Sequence, residues 1–339
     1  MPAAFPVRPR RDRVARPEDD APLAADAAGS RQRPPGPADG NPLILRLSVS
    51  LLISAALLFW LLGSRQAAAS WAAVRLPAPG VLGLLVLLQC LSYACRAARL
   101  STQFATRLAL GWRSTLRMTL LHNLGINVIP FRAGELLLPA MLHRAGLQLS
   151  EALATLLWLR VQDVVVLAGL GVVLWPGLPL ALRGAALLGL AAAWPLTRHL
   201  ARTAEANQCS GFPFRHLQRL RPMFDGSRAS WLWTVANWLS KLSGLSLALA
   251  ALAGLPVATA VPGVLGGELS AILPVQGIAG FGTYEAGVAL PLAGFGLPWQ
   301  PLLAAALSLH LITIAIALVA GALAWIALPA PNLPPSAPA

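Results

Sequence analysis

Residues Asn127–Gly146 read NVIPFRAGELLLPAMLHRAG. The stretch lies between two long apolar runs, yet it carries two prolines, two glycines, a glutamate and the bases Arg132, His143 and Arg144. Its surroundings decide what it can be. The 339 residues are 56% hydrophobic and only 12% charged, too apolar and too poor in charge for a soluble domain of this length. The solvent of such a chain is a bilayer.

A hydrocarbon core about 30 Å thick takes about 20 apolar residues of helix. Runs of that kind lie at Leu43–Leu62, Val81–Cys95 with Ala78–Gly80 ahead of it, Ser150–Leu174, Leu180–Leu196, Trp231–Ala253 and Pro301–Leu328, and they predict six spanning helices. Two shorter runs, Ser114–Ile129 and Val257–Leu273, each lead into sequence broken by Pro and Gly, so they predict short spans or half-helices. The expected fold is an all-α polytopic membrane protein with six to eight transmembrane helices. Residues 1–41, rich in Pro, Ala, Arg and Asp without an apolar period, predict an unfolded tail that does not resemble a secretory signal. Residues 42–328 then form one transmembrane domain and 329–339 a second unfolded tip.

The net charge of +13 suggests nucleic acid only until its distribution is read. The tail carries seven Arg against six acids and contributes almost nothing. The excess lies in two groups, Arg96, Arg99, Arg107, Arg113 and Arg117 after the second run, and Arg198, Arg202, Arg215, Arg219, Arg221 and Arg228 before Trp231. Read as loops, both belong on the cytoplasmic side, with both termini. Loops of this kind meet anionic headgroups, and no gathering of bases with aromatics points to a nucleic-acid partner. The three cysteines, Cys90, Cys95 and Cys209, have neither pair spacing nor a His companion, so no metal is expected.

A second stretch, ILPVQGIAGFGTYEAGVALPLAGFGLPWQPLLA from Ile272 to Ala304, repeats the first. Glu135 and Glu285 are each followed eleven residues later by Gly-Leu (Gly146-Leu147, Gly296-Leu297) and then, at equal offset, by Leu-Ala (Leu153-Ala154, Leu303-Ala304). Upstream stand Val128-Ile129-Pro130 and Ile272-Leu273-Pro274. Three expected spans separate the copies, around 114–174 and 257–328, and an odd number of crossings inverts one against the other. Broken helices in matching places of inverted halves point to a path near the midplane. Backbone freed by Pro and Gly cannot face lipid, so both stretches are expected as re-entrant hairpins lining protein or a wet cavity.

Outside the tail there are seven acids: Glu135, Glu151, Asp163, Glu205, Asp225, Glu268 and Glu285. Arg160 and Asp163 are three apart, on one face of a helix, where they either fix packing or serve a site. Glu135 and Glu285 carry the same two readings, and Arg132 either binds a lipid phosphate or snorkels to the interface. Lys241, the only lysine, is a candidate counter-ion for Glu268 or Glu285. Glu151, at a helix start, suits the helix dipole.

Asn127, Pro130, Arg132, Gly134 and Glu135, then Arg160 and Asp163, then Pro274, Gly277, Gly280, Gly282 and Glu285, form the patterns N-x-x-P-x-R-x-G-E, R-x-x-D and P-x-x-G-x-x-G-x-G-x-x-E. Together they resemble the membrane region of lysylphosphatidylglycerol synthases and the flippase-like family built on it, over about residues 43–328. Two positions depart from that pattern, Leu138 and Tyr284, where basic residues are common. The resemblance implies a multi-pass inner (plasma) membrane protein whose partners are membrane lipids, an anionic phospholipid or a related polar lipid, with a second copy of the chain left open as a partner. The residues just named would bind substrate. The aminoacyl-transfer domain of the two-part synthases is not in the sequence, and no catalytic motif or cofactor signature stands in its place. The expected function is therefore translocation or binding of a lipid headgroup, without enzymatic activity. A structural or assembly role and a lipid-modifying transferase are the alternatives.

Overall fold

A computed structural model describes residues 72, 74–104, 108, 110–206, 228–272 and 278–329, with side chains at 130–132, 200–206 and 278 left aside. The expected helix Leu43–Leu62, the tail, most of the C-terminal tip, Arg107, the loop with Arg215, Arg219, Arg221 and Cys209, and the site candidates Pro274 and Gly277 lie outside the described residues.

The described elements are all helical: α1 (Pro79–Phe104), α2 (Trp112–Val128), a 3-10 turn Pro130–Leu136, α3 (Leu137–Arg144), α4 (Leu149–Leu174), α5 (Leu180–Ala206), α6 (Arg228–Ala253), α7 (Val257–Ser270), a 3-10 turn Ile278–Gly280, α8 (Thr283–Ala293) and α9 (Trp299–Ala327). Five of them, α1, α4, α5 up to His199, α6 and α9, are long and apolar enough to span. The hydrophobic runs at 150–174, 180–196, 231–253 and 301–328 thus each coincide with a helix long and apolar enough to span.

One expected boundary is corrected. The run Val81–Cys95 is the front of a 26-residue helix that continues to Phe104, so Arg96 and Arg99 are not loop charges. They sit inside α1, and Arg99 is only 4% exposed. A window of apolar residues stops at the first arginine, whereas a helix continues wherever its polar face finds partners. Gln89, Ser92, Tyr93, Arg96 and Arg99 recur at a helical spacing and form that face.

The core is built mainly by α1 against α6, joined by α4, α7, α8 and α9. Trp158, Trp231, Leu245, Leu249, Val264, Val288 and Leu309 are among its buried members. The segment before α1 is tied to this core by Arg75, whose backbone N–H donates to Ser308 Oγ at 3.2 Å and whose guanidinium donates to the Leu252 carbonyl in the last turn of α6. That carbonyl has no partner within its own helix, and a cation suits a helix C-terminus.

The two repeated stretches fold into matching units. Each runs helix, 3-10 break, short helix, then a glycine with left-handed backbone (Gly146 at φ 106°, Gly296 at φ 79°) and a long spanning helix. The repeated Gly-Leu pair of the sequence therefore marks the same event twice, a helix end that an L side chain would strain. In the second unit α7 and α8 lie antiparallel: Gly263 faces Leu292, Gly266 faces the Gly287 carbonyl, and Gly267 faces Tyr284 and Val288. In the first, Gly134 rests on the Gly125 carbonyl, beyond which α2 and α3 splay. At 1.5 Å per residue, α7 and α8 are about 21 and 16 Å long, each shorter than a core of about 30 Å. The 3-10 breaks of the two units touch each other.

Candidate functional site

Beside those breaks lies a cavity of about 150 Å³ lined from both repeats and from α1, α4, α6 and α9. Its walls include Arg96, Asn123, Asn127, Arg160, Lys241, Glu268, Gly280, Tyr284 and His310. A water needs roughly 10–15 Å³ of such space, so the cavity takes several. Arg96, Lys241 and His310 stand near the middles of α1, α6 and α9. An unpaired charge at the centre of a span costs about 2.5–3.5 kcal/mol on insertion scales, so the polar groups here must be satisfied by each other, by water or by a ligand.

Most are satisfied by each other. Lys241 Nζ meets Glu268 Oε2 at 2.5 Å and lies 5.4 Å from the Trp238 ring centroid. Arg160 Nε donates to Glu135 Oε2 at 3.1 Å. His310 Nδ1 lies 2.7 Å from Glu285 Oε1, and the His310 ring packs 4.5 and 4.9 Å from those of Tyr284 and Phe281. The other Glu285 oxygen accepts the Gly282 N–H at 2.6 Å, closing the start of α8. Asn123 donates to Tyr93 Oη at 3.1 Å and accepts from Arg96 Nη1 at 3.4 Å. Ser92 Oγ donates to Asn237 Oδ1 at 2.7 Å.

Three groups on the wall are left over. Arg96 has no carboxylate partner among the described residues, its only hydrogen bond being the long one to Asn123. Gln89 Oε1 and Tyr284 Oη are buried with no hydrogen-bond partner among the described residues. The cavity thus offers a cation outside direct ion-pair contact, a carbonyl acceptor and a hydroxyl.

Behind Arg96, Arg99 Nη1 donates to Asp163 Oδ1 at 2.7 Å and to Thr234 Oγ1 at 3.0 Å, and Trp238 Nε1 donates to Asp163 Oδ1 at 3.2 Å. Arg160 is 3.8 Å from the other Asp163 oxygen, so the i,i+3 pair forms, but Arg99 is the closer partner.

The sequence-derived residues divide accordingly. Asn127, Arg160 and Gly280 line the cavity. Glu135 and Glu285 stand one step behind it, through Arg160 and His310. Asp163 anchors Arg99, Gly134 forms the crossing of the first unit, and Gly282 caps α8. Pro130 and Arg132 lie in the first 3-10 turn. Neither glutamate is itself on the cavity wall: Glu135 is taken up by Arg160 and Glu285 by His310. His310, which no sequence pattern singles out, holds Glu285. Arg96 was missed because it was counted as loop charge, although the Gln89–Arg96 polar stripe was a readable signal.

Backbone strain is found at the same wall. Ala279, which lines the cavity, has φ 52° and ψ 20°, a left-handed conformation that costs an L side chain roughly 1–2 kcal/mol. Ala→Gly ordinarily destabilises through unfolded-chain entropy. Here Ala279→Gly should be neutral or stabilising by up to about 1 kcal/mol in a detergent melting assay, since relief of strain offsets that entropy.

A helical membrane domain with two broken hairpin units and a charged cavity halfway along its spans defines a class: multi-pass membrane proteins that host polar groups among their helices. The chain belongs to the family of the lysylphosphatidylglycerol synthase TM region, whose model matches residues 47–321. No curated protein sequence matches the chain at a significant level.

Proposed function

We propose that the protein is a lipid translocase whose cavity accepts the phosphate-bearing headgroup of a membrane lipid while the acyl chains stay in hydrocarbon. The observation that carries this reading is Arg96, a cation on the cavity wall with no carboxylate in ion-pair contact among the described residues. A planar guanidinium in a low-dielectric site is an apt phosphate receptor. The phosphate would sit between Arg96 and Arg160, the latter able to exchange Glu135 for the incoming anion. Gln89 and Tyr284 would meet hydroxyl or amine groups of the head. The two hairpins would enter the bilayer from opposite faces, a reading supported by the short arms of the second and the touching breaks of both. Family membership supports a lipid as cargo. Transport without covalent chemistry fits the site better than catalysis, since Glu135, Glu268 and Glu285 are each held by a base.

The test is Arg96→Gln in proteoliposomes, following a headgroup-labelled anionic phospholipid between leaflets. Loss of one charge-assisted hydrogen bond, about 1.5–3 kcal/mol, should slow movement roughly 10- to 100-fold with the melting temperature preserved. Wild-type rates in the variant would refute the assignment.

A further inference from the structure

A second cavity, of about 500 Å³, opens between the splayed arms of the first hairpin, away from the polar site. Its walls are Leu121, Leu124 and Val128 of α2, Leu137 and Met141 of α3, and Trp325 of α9. Positions 117, 121, 124 and 128 share one face of α2, and 137, 141 and 144 share one face of α3. Gly125 meets Gly134 and Leu137 at the closed end, near the 3-10 break. The opposite end carries Arg117 and Arg144.

This groove is chemically two-ended. Its length along α2 from Arg117 to Val128 is about 16 Å at 1.5 Å per residue, close to one leaflet of a core about 30 Å thick. Its floor is apolar. Its mouth holds two guanidinium groups with no carboxylate partner among the described residues, and Arg117 Nε is buried without a hydrogen-bond partner. The Arg117 guanidinium also stacks 5.4 Å from the centre of the Trp325 ring. The start of α2, the end of α3 and the end of α9 meet here, so both arginines and the tryptophan sit together at helix ends, the level where such residues meet headgroups.

We infer that this groove is a lipid seat, in which one acyl chain of an anionic diacyl phospholipid lies between α2 and α3 with its phosphate on Arg117 and Arg144. Apolar length, basic mouth and the unpaired Arg117 nitrogen together select an amphiphile with an anionic head. The seat is distinct from the cavity of Arg96, and its occupant would hold the first hairpin's arms apart.

The full-length protein is tested in nanodiscs with a phosphatidylglycerol bearing a photoactivatable group midway along one chain, and with the matched phosphatidylcholine. Crosslinked peptides are mapped by mass spectrometry. Phosphatidylglycerol should label Leu121, Leu124 and Met141 about tenfold above phosphatidylcholine, the preference falling as salt rises and vanishing in Arg117→Gln/Arg144→Gln. Equal labelling by the two lipids, or labelling spread evenly around α4, α5 and α9, overturns the seat. Should the double variant fail to fold, the wild-type comparison of the two lipids decides alone. Because the label reads the groove and not headgroup movement, this result is independent of the Arg96→Gln rate.

Discussion

Gly134→Ala should abolish the folded first hairpin. A β-carbon at residue 134 would lie 2.0 Å from the Gly125 carbonyl oxygen and 2.6 Å from the Ile126 nitrogen, all of it backbone that no rotamer change can move. The 3-10 turn would have to lift off α2, and with it the Arg160–Glu135 contact on which one cavity wall depends. Overpacking of a close backbone crossing costs at least about 1–3 kcal/mol, and rigid backbone on both sides puts this case at or beyond the upper end. The expected outcome is loss of monodisperse protein in size-exclusion chromatography or a fall in melting temperature well beyond that of other alanine variants. Gly184→Ala provides the control, since nothing lies within 4 Å of a β-carbon there and the helix propensity gain is about 1 kcal/mol. If Gly134→Ala behaves like Gly184→Ala, the tight crossing is not what holds the hairpin.

Asp163→Asn should be nearly as damaging, for an electrostatic reason. Asp163 and Arg99 have side chains 2% and 5% exposed, and the carboxylate also receives the Trp238 indole N–H. Removing the anion leaves the guanidinium buried beside Arg160 with no opposing charge, a change that costs about 3–5 kcal/mol in buried pairs. Replacing both partners by apolar residues of similar size, Arg99→Met with Asp163→Leu, should recover much of the loss, because no lone charge is then buried. Melting temperatures of the two single variants and the double variant in one detergent give the coupling. Additive losses would mean that the pair does not act as a unit.

Both expectations depend on contacts that differ greatly in how far the linear chain announces them. The spans at 149–174, 228–253 and 299–327 were visible as apolar runs, because length and hydropathy suffice once the solvent is lipid. The two broken units were visible through Pro130, Gly134, Gly280 and Gly282, since these residues have few other uses amid apolar helix. The pair Arg160–Asp163 was legible as an i,i+3 spacing, and Lys241 was already matched to Glu268 as one of two options. Arg96 and Arg99 were misplaced, because an arginine after an apolar run reads as a loop residue unless its partners, here Asn123 and Asp163, are known to face it. His310 looked unremarkable for the same reason, its partner Glu285 standing 25 residues away.

By itself, then, the sequence determined the solvent, the helical class, the positions of most spans and the places where helix must break, all of which follow from local composition and the needs of backbone in hydrocarbon. Only the tertiary structure shows which charged and polar groups meet. Glu135 and Glu285 are taken by Arg160 and His310, Asp163 by Arg99, and Arg96 is left facing the cavity. Charge pairing is a matter of distances across packed helices, and no spacing along one chain contains them.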